Sequence, residues 1–178
     1  MSRNGSDWKD KTDIVESQVG FEGISWHDST AYGFGVDLHD NHRHLRLYSS
    51  EYGQSFQRHT TSIKIPGGRP AGESPVVFQG DTAYTMLRRL EETALLGTSE
   101  PPYTEWQWHE TQKRAGGPEL IKLPDGRLLS GMRLYEDKRT SLSWVNQENG
   151  KLIEILELPS DGDTGYPGMI YHSGGSRN

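Results

Sequence analysis

The stretch SSEYGQSF, from Ser49 to Phe56, has too few apolar residues for a buried strand and is too short for an isolated helix. Related stretches occur at nearly constant spacing, namely SRNGSDW at 2–8, SEPPYTEW at 99–106 and, more loosely, NQENGKL at 146–152. Trp8 lies 48 residues before Phe56, and Trp106 lies 50 residues after it. A recurring element at this period indicates a repeat architecture.

A second pattern repeats in a different register. Each copy is a short apolar run, a Gly/Asp turn and another run, and the copies begin near residues 22, 73, 117 and 165. Trp26 to Phe78 is 52 residues, Phe78 to Leu123 is 45 and Leu123 to Tyr171 is 48. Each period therefore has room for about four short strands.

The apolar runs have the period of strands. In AYGFGVDL, 31–38, the larger side chains at 32, 34, 36 and 38 alternate with Ala, Gly, Gly and Asp. The small residues of the second face predict the close approach of a neighbouring sheet. TMLRRLEETALL, 85–96, is the best helical candidate, but its place in the repeat favours strand, turn and strand.

The sequence therefore predicts an all-β protein, a partial β-propeller in a single domain over 1–178. About three complete four-stranded blades are expected near 22–63, 74–110 and 118–158, with incomplete units at 1–21 and 159–178. The alternative is a β-sandwich, whose turns also recur but need not match in sequence and phase.

The repeated turn itself predicts structure rather than catalysis. Its hydroxyl and its acidic or amide side chain can hydrogen-bond the backbone of a tight hairpin. Its glycine adopts backbone angles that other residues resist, and its aromatic residue fills the space between sheets.

The composition limits the classes of partner and of chemistry that the chain is expected to have. Hydrophobic residues make up 31% of the 178, but five Trp, eight Tyr and 21 Gly argue for a folded chain. The net charge of −6 is spread along the chain and does not favour nucleic-acid binding, and no membrane-spanning run or signal-peptide pattern is present. The absence of cysteine excludes disulfides and thiol chemistry but leaves the compartment open. No cofactor is expected.

Two other motifs are interpreted as connections. HDNHRH, 39–44, contains His39, His42 and His44 without a helical i, i+4 pair, so a polar hairpin loop is favoured over a metal site. PGGRPAG, 66–72, lacks the Gly-Lys-Ser/Thr ending of a phosphate loop and is expected to join two blades.

The repeated turns resemble the Asp-box of the sialidase (neuraminidase) superfamily, S-x-D-x-G-x-T-[FW], in a degraded form. Glu51 takes the acidic position in SSEYGQSF, Asn4 takes it in the shorter SRNGSDW, and SEPPYTEW replaces the Asp-Gly core. GGPELIKLPDGRLLSGMRLY, 116–135, and LPSDGDTGYPGMIYH, 158–172, look like a bacterial group of sialidase-like proteins. The resemblance extends from about residue 20 to 172.

This resemblance implies a six-bladed propeller that cleaves terminal sialic acids or related sugars. Sialidases hold the substrate carboxylate with three arginines, attack with a Tyr assisted by a Glu, and use an Asp as acid/base. A neutral phenol suits an anomeric carbon beside a carboxylate, which would repel an anionic nucleophile. The phenol, with a pKa of about 10, needs a base within reach.

Matched to the family's motifs, Glu73 and Tyr166 are the expected catalytic pair. Arg88 is an expected carboxylate ligand, and either Arg133 or Arg139 is a second, with Arg133 preferred because its strand end resembles that of Arg88. Each has a plainer interpretation: a surface arginine, a loop glutamate, or a tyrosine that packs between blades. Asp28 is the only acidic residue near a suitable turn, and it is not assigned as the acid/base.

The resemblance is incomplete, because a first arginine motif, an acid/base Asp and closing strands are not found. We therefore expect this chain to be an incomplete, inactive part of a longer sialidase-like parent, whose compartment the sequence leaves open, secretion or a periplasmic location being one alternative. Exposed blade faces predict self-association, including pairing of two copies into one ring. The alternative function is a non-catalytic propeller that binds carbohydrate or acts as a scaffold.

Overall fold

A computed structural model describes residues 4–7, 12–38 and 43–173. Twelve strands account for its regular structure within these ranges, and they are β1 (Val19–His27), β2 (Thr30–Asp37), β3 (Leu45–Ser50), β4 (Gln57–Arg58), β5 (Val76–Gln79), β6 (Thr82–Leu87), β7 (Leu95–Ser99), β8 (Gln107–Glu110), β9 (Ala115–Lys122), β10 (Leu128–Leu134), β11 (Arg139–Val145) and β12 (Leu152–Leu158). The described residues contain no helix, and therefore no helix long and apolar enough to cross a membrane.

The strands form three four-stranded antiparallel sheets, each in chain order: β1–β4, β5–β8 and β9–β12. The first strands of consecutive sheets lie against one another, β1 beside β5 and β5 beside β9. This is the arrangement of propeller blades, in which the first strand of each sheet lines the centre. The predicted all-β, partial-propeller fold is confirmed. The segment 85–96 forms the end of β6, a turn and the start of β7, as the repeat indicated.

The hydrophobic core has two large layers on either side of the second sheet and a smaller third cluster formed by Ala31, Tyr48 and Phe56. Leu87 and Leu95 belong to the layer shared with the first sheet, whereas their neighbours Met86 and Leu96 belong to the layer shared with the third. All four side chains are fully buried. Strands buried on both faces carry consecutive apolar residues, which explains why MLRRLEETALL can be mistaken for a helix in sequence.

The repeated turns occupy one structural position, the hairpin between the third and fourth strands of each sheet. In the first, the Gly53 amide donates to Ser50 Oγ at 2.9 Å, and Phe56 is buried against Phe21. In the third, Asn146 Oδ1 accepts from the Glu148 amide at 2.9 Å. In the earlier copy at 2–8, the backbone amides of Ser6 and Asp7 likewise donate to Asn4 Oδ1, each at 3.0 Å, while Trp8 lies outside the described residues. The turns are thus structural, as their chemistry indicated.

The small residues of β2 serve a different purpose from the one predicted. A Cβ on Gly33 would lie 2.6 Å from Phe21, and one on Gly35 would lie 2.6 Å from Tyr48. These rings come from β1 and β3 of the same sheet. The prediction of a neighbouring sheet at this face was wrong, because aromatic rings from adjacent strands cover it instead.

Arg89 anchors the connection between the first two sheets. Its side chain is 3% exposed, and its guanidinium donates to the carbonyl oxygens of Pro66 and Thr93 and to the carboxylate of Glu110. PGGRPAG is therefore held in place as an inter-sheet connection.

Replacing Arg89 with methionine is expected to lower the free energy of unfolding by about 2–3 kcal/mol, because buried carbonyl groups lose their donor. Urea denaturation measures the change. Arg69→Met is the matched control, since Arg69 also pairs with one glutamate but is half exposed. An effect of Arg89→Met no larger than that of Arg69→Met would contradict the structural role.

Candidate functional site

Four of the five predicted site residues meet at the centre of the arrangement, although they come from distant parts of the chain. Glu73 precedes β5, Arg88 follows β6, Arg133 lies on β10 and Tyr166 follows β12. Their hydrogen bonds form one connected group, which a fifth residue, Tyr135, completes.

Glu73 and Arg88 form the buried part of this group. Arg88 Nη1 donates to Glu73 Oε1 at 2.6 Å, and the two side chains are only 16% and 13% exposed. The Arg88 amide also donates to the Glu73 carbonyl at 3.4 Å, so the backbone fixes the pair where β6 ends. Burial tends to lower the pKa of Arg88, but the Glu73 charge and hydrogen bond raise it overall, and the guanidinium stays charged.

Tyr166 faces this pair from the segment after the third sheet. Its phenol donates to Glu73 Oε1 at 2.7 Å, and its amide donates to the Gly117 carbonyl at 3.0 Å. Tyr166 has a φ of 55°, a sparsely populated backbone angle for a residue with a side chain. The side chain is not packed between sheets, since Tyr166 is 51% exposed. The hydrogen bond to Glu73, with partial burial, raises the pKa of the phenol.

Tyr135 joins the two arginines and was not found from the sequence. Its phenol oxygen accepts from Arg88 Nη2 at 2.8 Å and from Arg133 Nη2 at 3.2 Å. Arg114 lies over its ring, 4.5 Å from the centroid. Three guanidinium groups therefore surround one phenol, and two of them are also paired with carboxylates, Arg88 with Glu73 and Arg133 with Asp163. The available signal was spacing, because Tyr135 comes two residues after Arg133 and so lies on the same side of the chain.

Arg139, the alternative to Arg133, lies elsewhere. It starts β11 and pairs with Glu154 of β12, with Nη2 to Oε2 at 2.7 Å, and with Asp137. Arg133 pairs with Asp163, whose side chain is 84% exposed.

Asp28 lies in the turn between β1 and β2, where its Oδ2 is 3.9 Å from Nε2 of His27. Among the described contacts, none links Arg139 or Asp28 to Glu73 or Tyr166.

Two further glutamates reach the same place. A pocket of about 120 Å³ is lined by residues of all three first-strand regions and of the Tyr166 segment, with Glu22, Glu73, Glu119 and Tyr166 among them. Partial burial and the negative charge of Glu73 raise the pKa of Glu22. Burial raises the pKa of Glu119. Both carboxyls therefore hold their protons to higher pH than an exposed glutamate.

Unsatisfied polar atoms also concentrate here. Glu73 Oε2, Arg88 Nε and Arg133 Nε are buried and make no hydrogen bond to any described residue. Buried polar atoms without partners are uncommon in native proteins, and they are typical of sites that bind a ligand or do chemistry. The arrangement offers a phenol beside a carboxylate, two or three guanidiniums for an anion, and carboxyls that can carry a proton.

Metal binding is not indicated by the described residues, which contain no group of three His, Asp or Glu side chains suited to an ion. His39 and His42 of the HDNHRH motif lie outside the described residues. His44 is described, and its Nδ1 lies 3.4 Å from Ser62 Oγ.

Comparisons with known proteins identify the fold. No family model and no curated protein matches the chain. Solved structures that resemble it include an exo-β-1,3-galactanase variant from Phanerochaete chrysosporium with β-1,3-galactotriose, at 13% identity and TM-score 0.62 over 78% of this chain. The exo-β-1,3-galactanase of Clostridium thermocellum has 12% identity and TM-score 0.59 over 85%. The endosialidase of phage phi92 has 14% identity and TM-score 0.59 over 77%.

These neighbours are β-propeller glycoside hydrolases, and at such identities the likeness concerns the fold. The chain spans only 38%, 39% and 26% of their respective lengths.

Proposed function

We propose that this site belongs to an exo-acting glycoside hydrolase of the sialidase type, which removes terminal sialic acids or related anionic sugars from glycans. The observation that supports it best is the 2.7 Å hydrogen bond from the Tyr166 phenol to Glu73. A phenol is a poor nucleophile unless a base lies within hydrogen-bond reach, and Glu73 is such a base. Charged groups that can bind an anion lie beside the pair.

In the proposed reaction Tyr166 attacks the anomeric carbon while Glu73 accepts the phenol proton. Since the raised pKa keeps the phenol protonated at rest, this transfer has to accompany the attack rather than precede it. Arg88 donates to the same Glu73 oxygen and holds the carboxylate in place. The neutral phenol avoids repulsion from the substrate carboxylate.

Arg88 and Arg133 are proposed to bind that carboxylate. Tyr135 holds both guanidiniums through one oxygen, so they converge from two different sheets. Planar guanidinium forks match a carboxylate bidentately. The unpaired Nε atoms of both arginines are further donors in the same region.

The incomplete resemblance led to the expectation of an inactive chain, but the Tyr166–Glu73 pair and both proposed arginines lie within this chain. If these groups suffice for the reaction, the chain will hydrolyse an activated aryl α-sialoside about 10²-fold faster than the matched aryl β-galactoside, because two charge-assisted contacts distinguish the substrates. Release of the coloured phenol gives both rates. Hydrolysis of the galactoside in preference to the sialoside would contradict the proposed specificity for an anionic sugar. A chain that neither binds nor cleaves either substrate would contradict the proposed function.

A second candidate is a non-catalytic propeller that binds carbohydrate. It is favoured by the ion pairs, since Arg88 is engaged by Glu73 and Arg133 by Asp163. It agrees with the expectation that the chain is inactive alone. Calorimetric binding of sialic acid without turnover of the aryl sialoside would support this function over the first.

A further inference from the structure

The proposed reaction lacks a proton for the departing oxygen. Glu73 cannot supply it, because its carboxylate is paired with Arg88 and already accepts the proton of Tyr166. We propose that Glu22 is the proton donor, an inference that rests on the sialidase-type function above. No acidic residue for this step was found from the sequence.

The backbone carries Glu22 to the site. Glu22 lies on β1 where the pairing with β2 is interrupted by a bulge between Glu22 and Ser25. Gly23 within the bulge has a φ of 70°, and a Cβ there would lie 3.3 Å from the Cα of Pro75. β1 therefore lies directly against the segment that carries Glu73. Bulges commonly redirect a side chain beside an active site.

The surroundings of Glu22 suit an acid. It is exposed at the same pocket that Tyr166 and Glu73 line, so a bound glycosidic oxygen and water can both reach it. Although Glu22 is open to solvent on one side, partial desolvation of its carboxyl by neighbouring residues and the Glu73 charge raise its pKa, while Arg88 opposes them. The other titratable groups on the pocket are Glu119 and Tyr166. Beside the Glu73 carboxylate, Glu22 therefore holds its proton to higher pH than an unperturbed glutamate.

Glu119 is the competing donor, but its environment differs. Its Oε1 accepts from the Leu120 amide at 3.2 Å, which favours the ionised form. Its raised pKa reflects burial, with no contribution from Glu73 or Arg88, whereas both of these groups act on Glu22. Glu22 is therefore the carboxyl electrostatically linked to the Tyr166–Glu73 pair.

The steps balance. As the Tyr166 oxygen bonds to the anomeric carbon, its proton passes to Glu73, the glycosidic bond breaks, and the Glu22 proton moves to the departing oxygen. Water then attacks the anomeric carbon and gives its proton to the Glu22 carboxylate. The bond to Tyr166 breaks, and Glu73 returns the proton to the phenol. Both carboxyls end as they began.

The test compares Glu22→Gln with Glu119→Gln on two sialosides, one with an activated nitrophenol leaving group and one with an unactivated sugar. An acid matters most for the poor leaving group, so we expect Glu22→Gln to lower kcat/KM about 10²-fold or more for the sugar and less than about 10-fold for the nitrophenol. The basic limb of the pH–rate profile should disappear, because the donor no longer deprotonates. Glu119→Gln should change the rates for the two substrates by the same factor and should keep that limb, because a residue that only lines the pocket does not act on the leaving group.

The outcomes separate the two proposals. A wild-type chain that cleaves neither sialoside overturns the proposed function and this inference together. An active wild type whose Glu22→Gln variant loses both substrates equally, or neither, overturns only the role of Glu22. The same holds if Glu119→Gln shows the leaving-group signature. Thermal melting of both variants verifies that each is folded.

Discussion

Replacing Tyr166 with phenylalanine is expected to lower kcat/KM for an aryl sialoside by on the order of 10³-fold or more, because the oxygen that we propose as the nucleophile is lost. The change removes one hydroxyl that bonds only to Glu73 among the described residues. The melting temperature should therefore change little, and the loss should appear in kcat rather than in KM.

Tyr171→Phe is the matched control, since Tyr171 lies five residues further along the same segment and is similarly exposed, at 53% against 51%. It should retain wild-type kinetics. A Tyr166→Phe variant that keeps more than a tenth of the activity would exclude the phenol as nucleophile and favour a carboxylate in that role.

Gly117→Ala is expected to have the second largest effect, about a 10²-fold loss of activity. A Cβ at Gly117 would lie 2.8 Å from the Tyr166 amide and 2.9 Å from its ring, so Tyr166 has to move. Displacement of a catalytic group by about 1 Å can cost this much. The φ of 51° adds backbone strain of about 1 kcal/mol or more in the variant.

Gly80→Ala separates the effect of the contact with Tyr166 from the effect of backbone strain. Gly80 also has a positive φ, 58°, but nothing lies within 4 Å of its added Cβ. Both variants should lose stability in urea denaturation, and only Gly117→Ala should lose activity beyond that. Equal activity in the two variants would show that the contact with Tyr166 does not position it for reaction.

The fold was accessible from the sequence because its units repeat. The turn at 49–56 and its relatives showed where each repeat unit lies along the chain, and the period-2 alternation of β2 predicted that the apolar runs are strands. What fills the glycine face of β2 was not predictable, since Phe21 and Tyr48 reach it from strands that pair only in three dimensions. The interpretation of 85–96 depended on the repeat, because its own pattern is that of a doubly buried sheet.

The site was accessible only in part. The resemblance pointed to Glu73, Arg88, Arg133 and Tyr166, and the structure brings these four side chains together, while their catalytic roles stay proposals. It left Arg139 as an alternative to the preferred Arg133, since each is close to a strand end in the sequence and the pairing of β10 with β11 is not apparent there. Tyr135, Arg114 and Glu22 carry no motif of their own. Their importance comes from the packing of first strands around one centre.

Covalent trapping tests the account most directly. A sialosyl fluoride with a second fluorine beside the anomeric carbon needs no proton donor to react and is hydrolysed slowly afterwards, so the first product accumulates on the enzyme. Peptide mapping by mass spectrometry should place one sialosyl group on Tyr166, with slower labelling in Glu73→Gln. A sialosyl group on the carboxylate of Glu73 or Glu22, or an unlabelled chain, would contradict a phenol nucleophile activated by Glu73.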